Sequence, residues 1–393
     1  MTSTTVAVGA EAAGTEVAGA EPPARLTRAD LLRMVLRPLA IFVATRAGVV
    51  AIASGVSLLG KHSLEYTLTR WDAGAYITIA KLGYQSHLPS PTASNHAWSL
   101  RIVFFPLWPL LIRLGHLISG IGYDADGLIL AAAAGAVGAV LIWFLVRERY
   151  GEQAADRATA LVFCFPGAFV LSTTYSENLL IPLVAGMLIA LGRRRWVIAG
   201  VLAALATAVD PTAIAVVVPC VVAAGIAIYT KRNWAAISAV VLSPLGALGY
   251  FAYLWAHTGT PRAWFDVERR GWGNHPTLAS VWDQFIGFER HPFAYPNATA
   301  QMAGFVVAIA LLVVAIRFKA DLIWISYGCA VFLLASLTPQ VGFMPRIVLH
   351  AFPLIAVAGV ALRRTWFTSV LVLSALLMAL MAVVSLGTLY LTP

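Results

Sequence analysis

The stretch FFPLWPLLIRLGHL (Phe104–Leu117) decides how the rest of this chain is arranged. It is apolar but short, and it carries Pro106, Pro109, Arg113 and His116. If it crosses a bilayer, every later loop changes sides. Apolar runs of roughly 18 residues or more read as membrane spans, and candidate spans lie on both sides of this stretch: 38–60, 127–146, 158–174, 177–192, 196–210, 212–230, 234–256, 300–316, 321–338, 346–362 and 366–390. Basic residues choose between the two arrangements, because cytoplasmic loops are enriched in Lys and Arg. With a crossing at 104–117, Arg147, Arg149, Arg157, Arg193, Arg194, Arg195, Lys231, Arg232, Arg317, Lys319, Arg363 and Arg364 would all face outward. With 104–118 lying in the interface or re-entrant, all of these face inward, and the short outer connections keep only Arg346. The N-terminal flank, with Arg25, Arg28, Arg33 and Arg37, stays inside as well. The expectation is therefore an all-α, polytopic transmembrane bundle of about eleven spans, N-terminus in and C-terminus out.

Composition agrees with a membrane protein. Of 393 residues, 60% are hydrophobic and 11% charged, against about a quarter charged in soluble domains. The net charge of +9 sits largely in the short basic clusters between spans, so nucleic acid is not the implied partner. The three cysteines, Cys164, Cys220 and Cys329, lie in apolar runs without metal or redox spacing. Asn297-Ala298-Thr299 is a formal glycosylation sequon. Residues 1–24, rich in Ala, Gly, Thr and Glu, read as a disordered cytoplasmic tail rather than a signal peptide. Residues 25–393 read as one membrane domain. Its two long outer loops, about 61–126 and 257–299, are expected to carry interfacial helices, and loops of this size are usually functional.

Polar residues gather at the outer ends of the spans. In TRWDAGAYITIA (Thr69–Ala80), Asp72 opens an expected amphipathic helix in which Tyr76, Ile77, Ala80 and Tyr84 recur near helical spacing. Asp72 can cap that helix or act as a base; Trp71 and Tyr76 can form an aromatic belt or meet a substrate. Tyr175-Ser176-Glu177-Asn178 fills a tight outer turn, where Glu177 is either a second cap or a second acid. In TPQVGFMPRIVLHAFPL (Thr338–Leu354), Arg346 opens a span and His350 follows one turn deeper on the same face. Arg346 can snorkel to lipid headgroups or face inward and hold a phosphate, while intramembrane ionisable groups such as His350 are functional candidates by default. The loop His257–Phe293 mixes Trp264, Trp272 and Trp282 with Asp266, Glu268, Arg269 and Arg270, a composition that suits either a solvated loop or sugar recognition. No phosphate-binding Gly-rich loop, HExxH or GxSxG motif is present.

Five segments, RWDAGAYITIAKLGY, FFPLWPLLIRL, YSENLLIPLVAGMLIAL, YLWAHTGTPRAWF and MPRIVLHAFPL, occur in an order that resembles PIG-V-type mannosyltransferases of the GT-C superfamily of integral-membrane glycosyltransferases. The resemblance covers roughly Arg70–Ala356 and rests on order and spacing more than on any one motif. It implies a polyprenyl-phosphate sugar donor, usually phosphomannose, and a glycolipid, glycan or protein acceptor whose hydroxyl is presented at the outer face of the cell membrane. It also implies a catalytic acid in the first outer loop, which maps onto Asp72, and it maps further motif residues onto Glu177 and Arg346. Arg70, Trp71, Tyr76, Tyr175, Ser176, Trp272 and His350 complete the expected substrate-binding set. No metal site is expected; if a divalent ion of the Mg or Mn type takes part, Asp72 and Glu177 are its oxygen ligands. One departure stands out: where relatives read Arg-Pro-Thr-Gly, this chain has Asp210-Pro211-Thr212-Ala213, so Asp210 bears on donor or acceptor identity unless it simply caps the helix behind Pro211. A transporter or flippase of lipid-linked sugars and a non-catalytic scaffold for envelope assembly are the competing readings.

Overall fold

A computed structural model describes residues 28–274, 276–277, 279–290, 296–339, 342, 344–388 and 391. The tail expected at 1–24 lies outside the described residues. Every regular element among the described residues is helical. In chain order these are α1 (Arg28–Gly60), α2 (Leu64–Leu68), α3 (Asp72–Leu82), α4 (Asn95–Trp98), α5 (Leu107–Ser119), α6 (Tyr123–Tyr150) and α7 (Glu152–Phe163). There follow α8 (Glu177–Gly192), α9 (Trp196–Thr207), α10 (Val217–Lys231), α11 (Ile237–Leu242), α12 (Leu245–Thr258), α13 (Ala263–Gly271) and α14 (Ser280–Arg290). The chain closes with α15 (Pro296–Arg317), α16 (Leu322–Leu337), α17 (Pro345–His350), α18 (Phe352–Ala361) and α19 (Arg364–Gly387).

The chain is a multi-pass membrane protein. Six described segments are long and apolar enough to cross a bilayer: Asp30–Gly60, Tyr123–Tyr150, Pro211–Lys231, Trp234–Thr258, Asn297–Arg317 and Arg364–Gly387. A seventh arises if α7 and the 3-10 segment Pro166–Ser172, bent by 81°, count as one. The other expected spans contain shorter helices. α8 and α16 have 16 residues each, about 24 Å at 1.5 Å per residue, against a hydrocarbon core of about 30 Å. The expected span 346–362 is interrupted at Ala351, where Pro353 sits in the first turn of a new helix.

Different contacts mark the two ends of the bundle. At one end Arg37 pairs with Glu152 (2.7 Å), Arg149 with Asp321 (2.5 Å) and Arg193 with Glu148, while the Arg157 guanidinium donates to the Leu362 carbonyl. At the other end Lys81 pairs with Asp124 (3.1 Å), Ser57 and Thr67 share a 2.7 Å hydrogen bond, and Arg70 donates to the Leu386 carbonyl at 2.6 Å. A buried core containing Trp143, Phe163, Trp324, Tyr327 and Phe352 lies between. Arg46 of α1 is buried within it, an ionisable group that stands in the middle of an apolar span. The break after α7 leaves carbonyls without helical partners, and the Arg46 guanidinium donates to those of Phe163 (2.7 Å) and Ala168 and to Ser172 Oγ (3.3 Å). One cation thus ties the bent segment to α1.

Phe104–Leu117 does not form a long helix. α5 has 13 residues, about 20 Å, with Trp108, Pro109 and Ile112 buried and Leu110, Leu114 and Leu117 exposed. The segment leading into it is a hub of hydrogen bonds. The Ile102, Val103 and Phe104 carbonyls accept from Tyr250 Oη (2.7 Å), Trp264 Nε1 (3.2 Å) and Tyr84 Oη (2.8 Å). The Leu107 amide donates to the Ala208 carbonyl (2.9 Å) and Trp108 Nε1 to the Thr174 carbonyl (3.1 Å). These last two bonds fix the segment against the turns that carry Tyr175–Glu177 and Asp210.

Candidate active site

α3 starts abruptly. Its N-terminal neighbour Trp71 has φ 58° and ψ −132°, and no side chain caps the helix. A non-glycine residue at positive φ stores roughly 1–3 kcal/mol of strain that its surroundings must hold. Here the surroundings are the end of α19: Trp71 Nε1 donates to the Ser385 carbonyl (3.0 Å), and Arg70, stacked 5.2 Å from the Trp71 ring, donates to that of Leu386. Arg70 and Trp71 are therefore turned toward α19, and Asp72 is left at the first helical position.

Asp72 does not cap α3. Its amide donates to Tyr175 Oη (3.4 Å), and its carboxylate accepts from Arg346 Nη1 at 2.5 Å. Arg346 does not reach out to headgroups either. Its Nε lies 3.2 Å from Glu177 Oε1, and its guanidinium stands 5.2 Å from the Tyr175 ring. The close approach that makes this possible runs through Gly167: a Cβ there would sit 2.3 Å from the Pro345 carbonyl oxygen, so only glycine lets the 3-10 segment meet the start of α17.

Below Arg346 the polar contacts continue. His350 Nε2 lies 3.3 Å from Glu177 Oε1, and its Nδ1 lies 2.8 Å from Thr212 Oγ1. Thr212 spends its hydroxyl proton on Asp210 Oδ1 (2.6 Å), so Nδ1 is the donor to Thr212. Asp210 also caps its own segment by accepting from the Thr212 amide (2.9 Å). Its second oxygen accepts from Ser176 Oγ (3.3 Å), which in turn accepts from Tyr76 Oη (2.9 Å). Asp72, Tyr76, Tyr175, Ser176, Glu177, Arg346 and His350 thus belong to one connected network, and Asp210 and Thr212 join it. Trp272 stays at its edge, packed edge-on to Phe104 at 6.1 Å, and Phe104 packs on Tyr76 at 5.1 Å.

Accessibility separates the two acids facing Arg346. The Asp72 side chain is 26% exposed and that of Glu177 1%, so only Asp72 can be met by a molecule arriving from outside. Burial pushes the Asp72 carboxyl above its ordinary value; Arg346 opposes this, while the negative charges of Glu177 and Asp210 add to it. Burial, reinforced by the negative charges of Asp210, Asp72 and Glu177, holds the Tyr76 phenol well above its usual range, so it stays a donor. The guanidinium of Arg346 occupies the position between Asp72 and Glu177, and no group of three His, Cys, Asp or Glu among the described residues is arranged to hold a metal ion. A divalent ion does not fit these two carboxylates as they stand.

The family model described as dolichyl-phosphate-mannose-protein mannosyltransferase matches residues 104–255. Solved structures similar to the chain include ArnT from Cupriavidus metallidurans bound to undecaprenyl phosphate, 14% identical, covering 84% of this chain and 59% of that one with a TM-score of 0.48. The oligosaccharyltransferase of Archaeoglobus fulgidus, tethered with an acceptor peptide containing the NVT sequon, is 13% identical and covers 89% of this chain and 55% of that one with a TM-score of 0.45. The chain thus spans less than two thirds of the length of either structure. No curated protein matches it in sequence.

Proposed function

We propose that this chain is a GT-C-type membrane glycosyltransferase that moves a sugar, mannose first among the choices, from a polyprenyl-phosphate donor to an acceptor hydroxyl at the outer face of the membrane, with inversion. The observation that carries this reading is the pairing of a reachable carboxylate, Asp72, with a cation, Arg346, at the end of the bundle that lies opposite the basic loops. The sequence match over 104–255 points to the same donor class. The PIG-V resemblance in the motif order narrows it to mannose.

In this reading the prenyl tail stays in the bilayer and the phosphate rests near Arg346. Asp72 takes the proton of the acceptor hydroxyl as that oxygen attacks the anomeric carbon. The bond to the lipid phosphate breaks in the same step, and Arg346 stabilises the charge that develops on the departing phosphate. Glu177, His350 and Thr212 hold Arg346 from behind, so the cation is oriented before the donor arrives. Much of the rate comes from holding donor and acceptor in line.

The proposed topology has eleven crossings with the N-terminus inside. Its support is the way successive segments alternate between the two contact-marked ends, from Arg37 and Glu152 at one to Glu177 and Arg346 at the other. α7 then crosses together with the bent 3-10 segment that follows it and α17 with α18, while α8, α9 and α16 cross as short helices.

The full chain in liposomes, given radiolabelled undecaprenyl-phosphate mannose and envelope glycans and lipids from a strain lacking the protein, tests the reading. Label should pass to a product that no longer carries the polyprenyl phosphate. Movement of intact donor between leaflets without any product would identify a flippase instead, and neither outcome would leave a scaffold.

A further inference from the structure

Arg70 and Trp71 precede Asp72 directly in sequence, yet their side chains are engaged at the far end of the chain. α19 ends at Gly387, so the carbonyls of its last turn have no helical amide to accept from. That of Val384 accepts from the Thr388 amide (3.0 Å) and from Thr388 Oγ1 (2.6 Å). That of Ser385 accepts from Trp71 Nε1 at 3.0 Å, and that of Leu386 from Arg70 Nη1 at 2.6 Å. Arg70 also brings a positive charge to the negative end of the α19 dipole, with its guanidinium 5.2 Å from the Trp71 ring. α19 itself packs along α1 and the 3-10 segment Pro166–Ser172. Arg70 and Trp71 are therefore hooked onto the bundle, not onto their own loop.

The backbone shows why such a hook is needed. Trp71 has φ 58° and ψ −132°, a combination that a bulky aromatic residue keeps only where its surroundings over-determine it. These two angles set the direction in which α3 leaves the turn. The Trp71 carbonyl accepts from the Gly74 amide (3.0 Å), and Asp72 follows Trp71 at the first helical position. Relaxation of Trp71 to negative φ would swing α3 and carry the Asp72 carboxylate off Arg346, which it now meets at 2.5 Å. We propose that Arg70 and Trp71 are positioning residues. By holding the last turn of α19 they keep the strained turn that sets the Asp72 carboxylate against Arg346. The role rests on the transferase reading above, and it takes the place of the substrate contacts expected of these two residues. Their contribution is geometric, because a displacement of about 1 Å in a catalytic group can cost about 10²-fold in rate.

The test uses the full chain in nanodiscs with Trp71→Phe, which keeps a ring and removes the Nε1 donor, and with Arg70→Ala and Arg70→Lys. Three quantities are read: kcat for transfer from undecaprenyl-phosphate mannose, binding of undecaprenyl phosphate, and the setting of α3 without turnover. The last comes from the distance between spin labels at Leu59→Cys on α1 and Leu82→Cys on α3, both exposed positions, in a cysteine-free background. Trp71→Phe and Arg70→Ala should each lower kcat by about tenfold to a hundredfold, shift or broaden the distance, and bind undecaprenyl phosphate as the wild type does. Arg70→Lys, which returns a cation to the Leu386 carbonyl, should restore part of the lost kcat. A distance that stays fixed in both variants would overturn the proposal. So would a kcat equal to that of a wild type that transfers sugar, whatever happens to the unfolding temperature, since that marks a fold staple and nothing more. Weaker binding of undecaprenyl phosphate with kcat kept would overturn it as well, because it makes Arg70 and Trp71 substrate contacts. A wild type that transfers nothing, while the distance moves in the variants, sinks the transferase reading and leaves the anchoring of Asp72 standing.

Discussion

In the proposed mechanism Asp72 and Arg346 form the pair on which catalysis turns, and Arg346 opposes the upward push of burial on the Asp72 carboxyl. Asp72 must be ionised to take a proton, and its carboxyl lies above the ordinary value because burial, Glu177 and Asp210 outweigh Arg346. Activity should therefore fall on acidification at a higher pH than a solvated aspartate would give, read as the acid limb of kcat/KM against pH. Arg346→Gln removes the one cation that lowers Asp72, so the limb should move to still higher pH. It should also cost about 10²–10³ in kcat, the usual effect of losing one charge-stabilising donor. Glu177→Gln removes a charge that raises Asp72, so it should move the limb down. A limb that stays put in both variants would mean that the titrating group is not Asp72. Asp72, Glu177, Arg346 and His350 were legible in the sequence because an ionisable residue at the end of an apolar run is conspicuous, and Tyr76, Tyr175 and Ser176 came with them as neighbours in the same motifs. Thr212 was hidden among ordinary polar residues. Asp210 stood out only as a departure from a family pattern. Their proximity to the site comes from tertiary folding, which periodicity does not report.

At the scale of elements, the site depends on interrupted helices held in register. The bend after α7 brings Tyr175–Glu177 to the start of α17, with Gly167 against Pro345 and Arg46 holding the freed carbonyls. Gly167→Ala should force the two segments apart at a cost of about 1–3 kcal/mol, typical of overpacking. It should lower the unfolding temperature in detergent and reduce transfer, although Gly167 is buried and has no side chain to offer a substrate. Arg46→Met leaves buried carbonyls of the bend unpaired, at about 1–3 kcal/mol for such a group. The same unfolding measurement should show it, and an unchanged unfolding temperature would remove Arg46 as the tie. Helix existence was legible from apolar runs, α3 from its amphipathic spacing, and α5 as a short apolar stretch set apart by the distribution of basic residues. The breaks were not legible. Pro353 marks one of them, but the bend between α7 and Pro166 depends on a cation more than a hundred residues earlier, in α1. The strained turn at Trp71 likewise depends on carbonyls of α19 at the far end of the chain.

At the scale of the whole molecule, the reading of Phe104–Leu117 as a segment that does not cross sets the side of every later loop. Its 13-residue helix, tied at its start to Thr174 and Ala208, is built as a brace for the site. In a cysteine-free variant, single cysteines at Ser90 and at Arg269 should react with a membrane-impermeant maleimide on intact cells. One at Arg194 should react only after permeabilisation. Labelling of Arg194→Cys on intact cells would invert the topology and place the site on the cytoplasmic side. The number of crossings was hard to read from the sequence because several spans are short helices joined to 3-10 turns, so apolar length and helix length do not coincide.

The most direct measurement is sugar transfer by Asp72→Asn, made as the full chain and assayed with undecaprenyl-phosphate mannose beside the wild type. The variant should fold and bind the donor as the wild type does, while transfer drops by at least the 10²–10⁴ that a positioned base supplies. Transfer at the wild-type rate by a folded Asp72→Asn protein would contradict the central role given to this carboxylate.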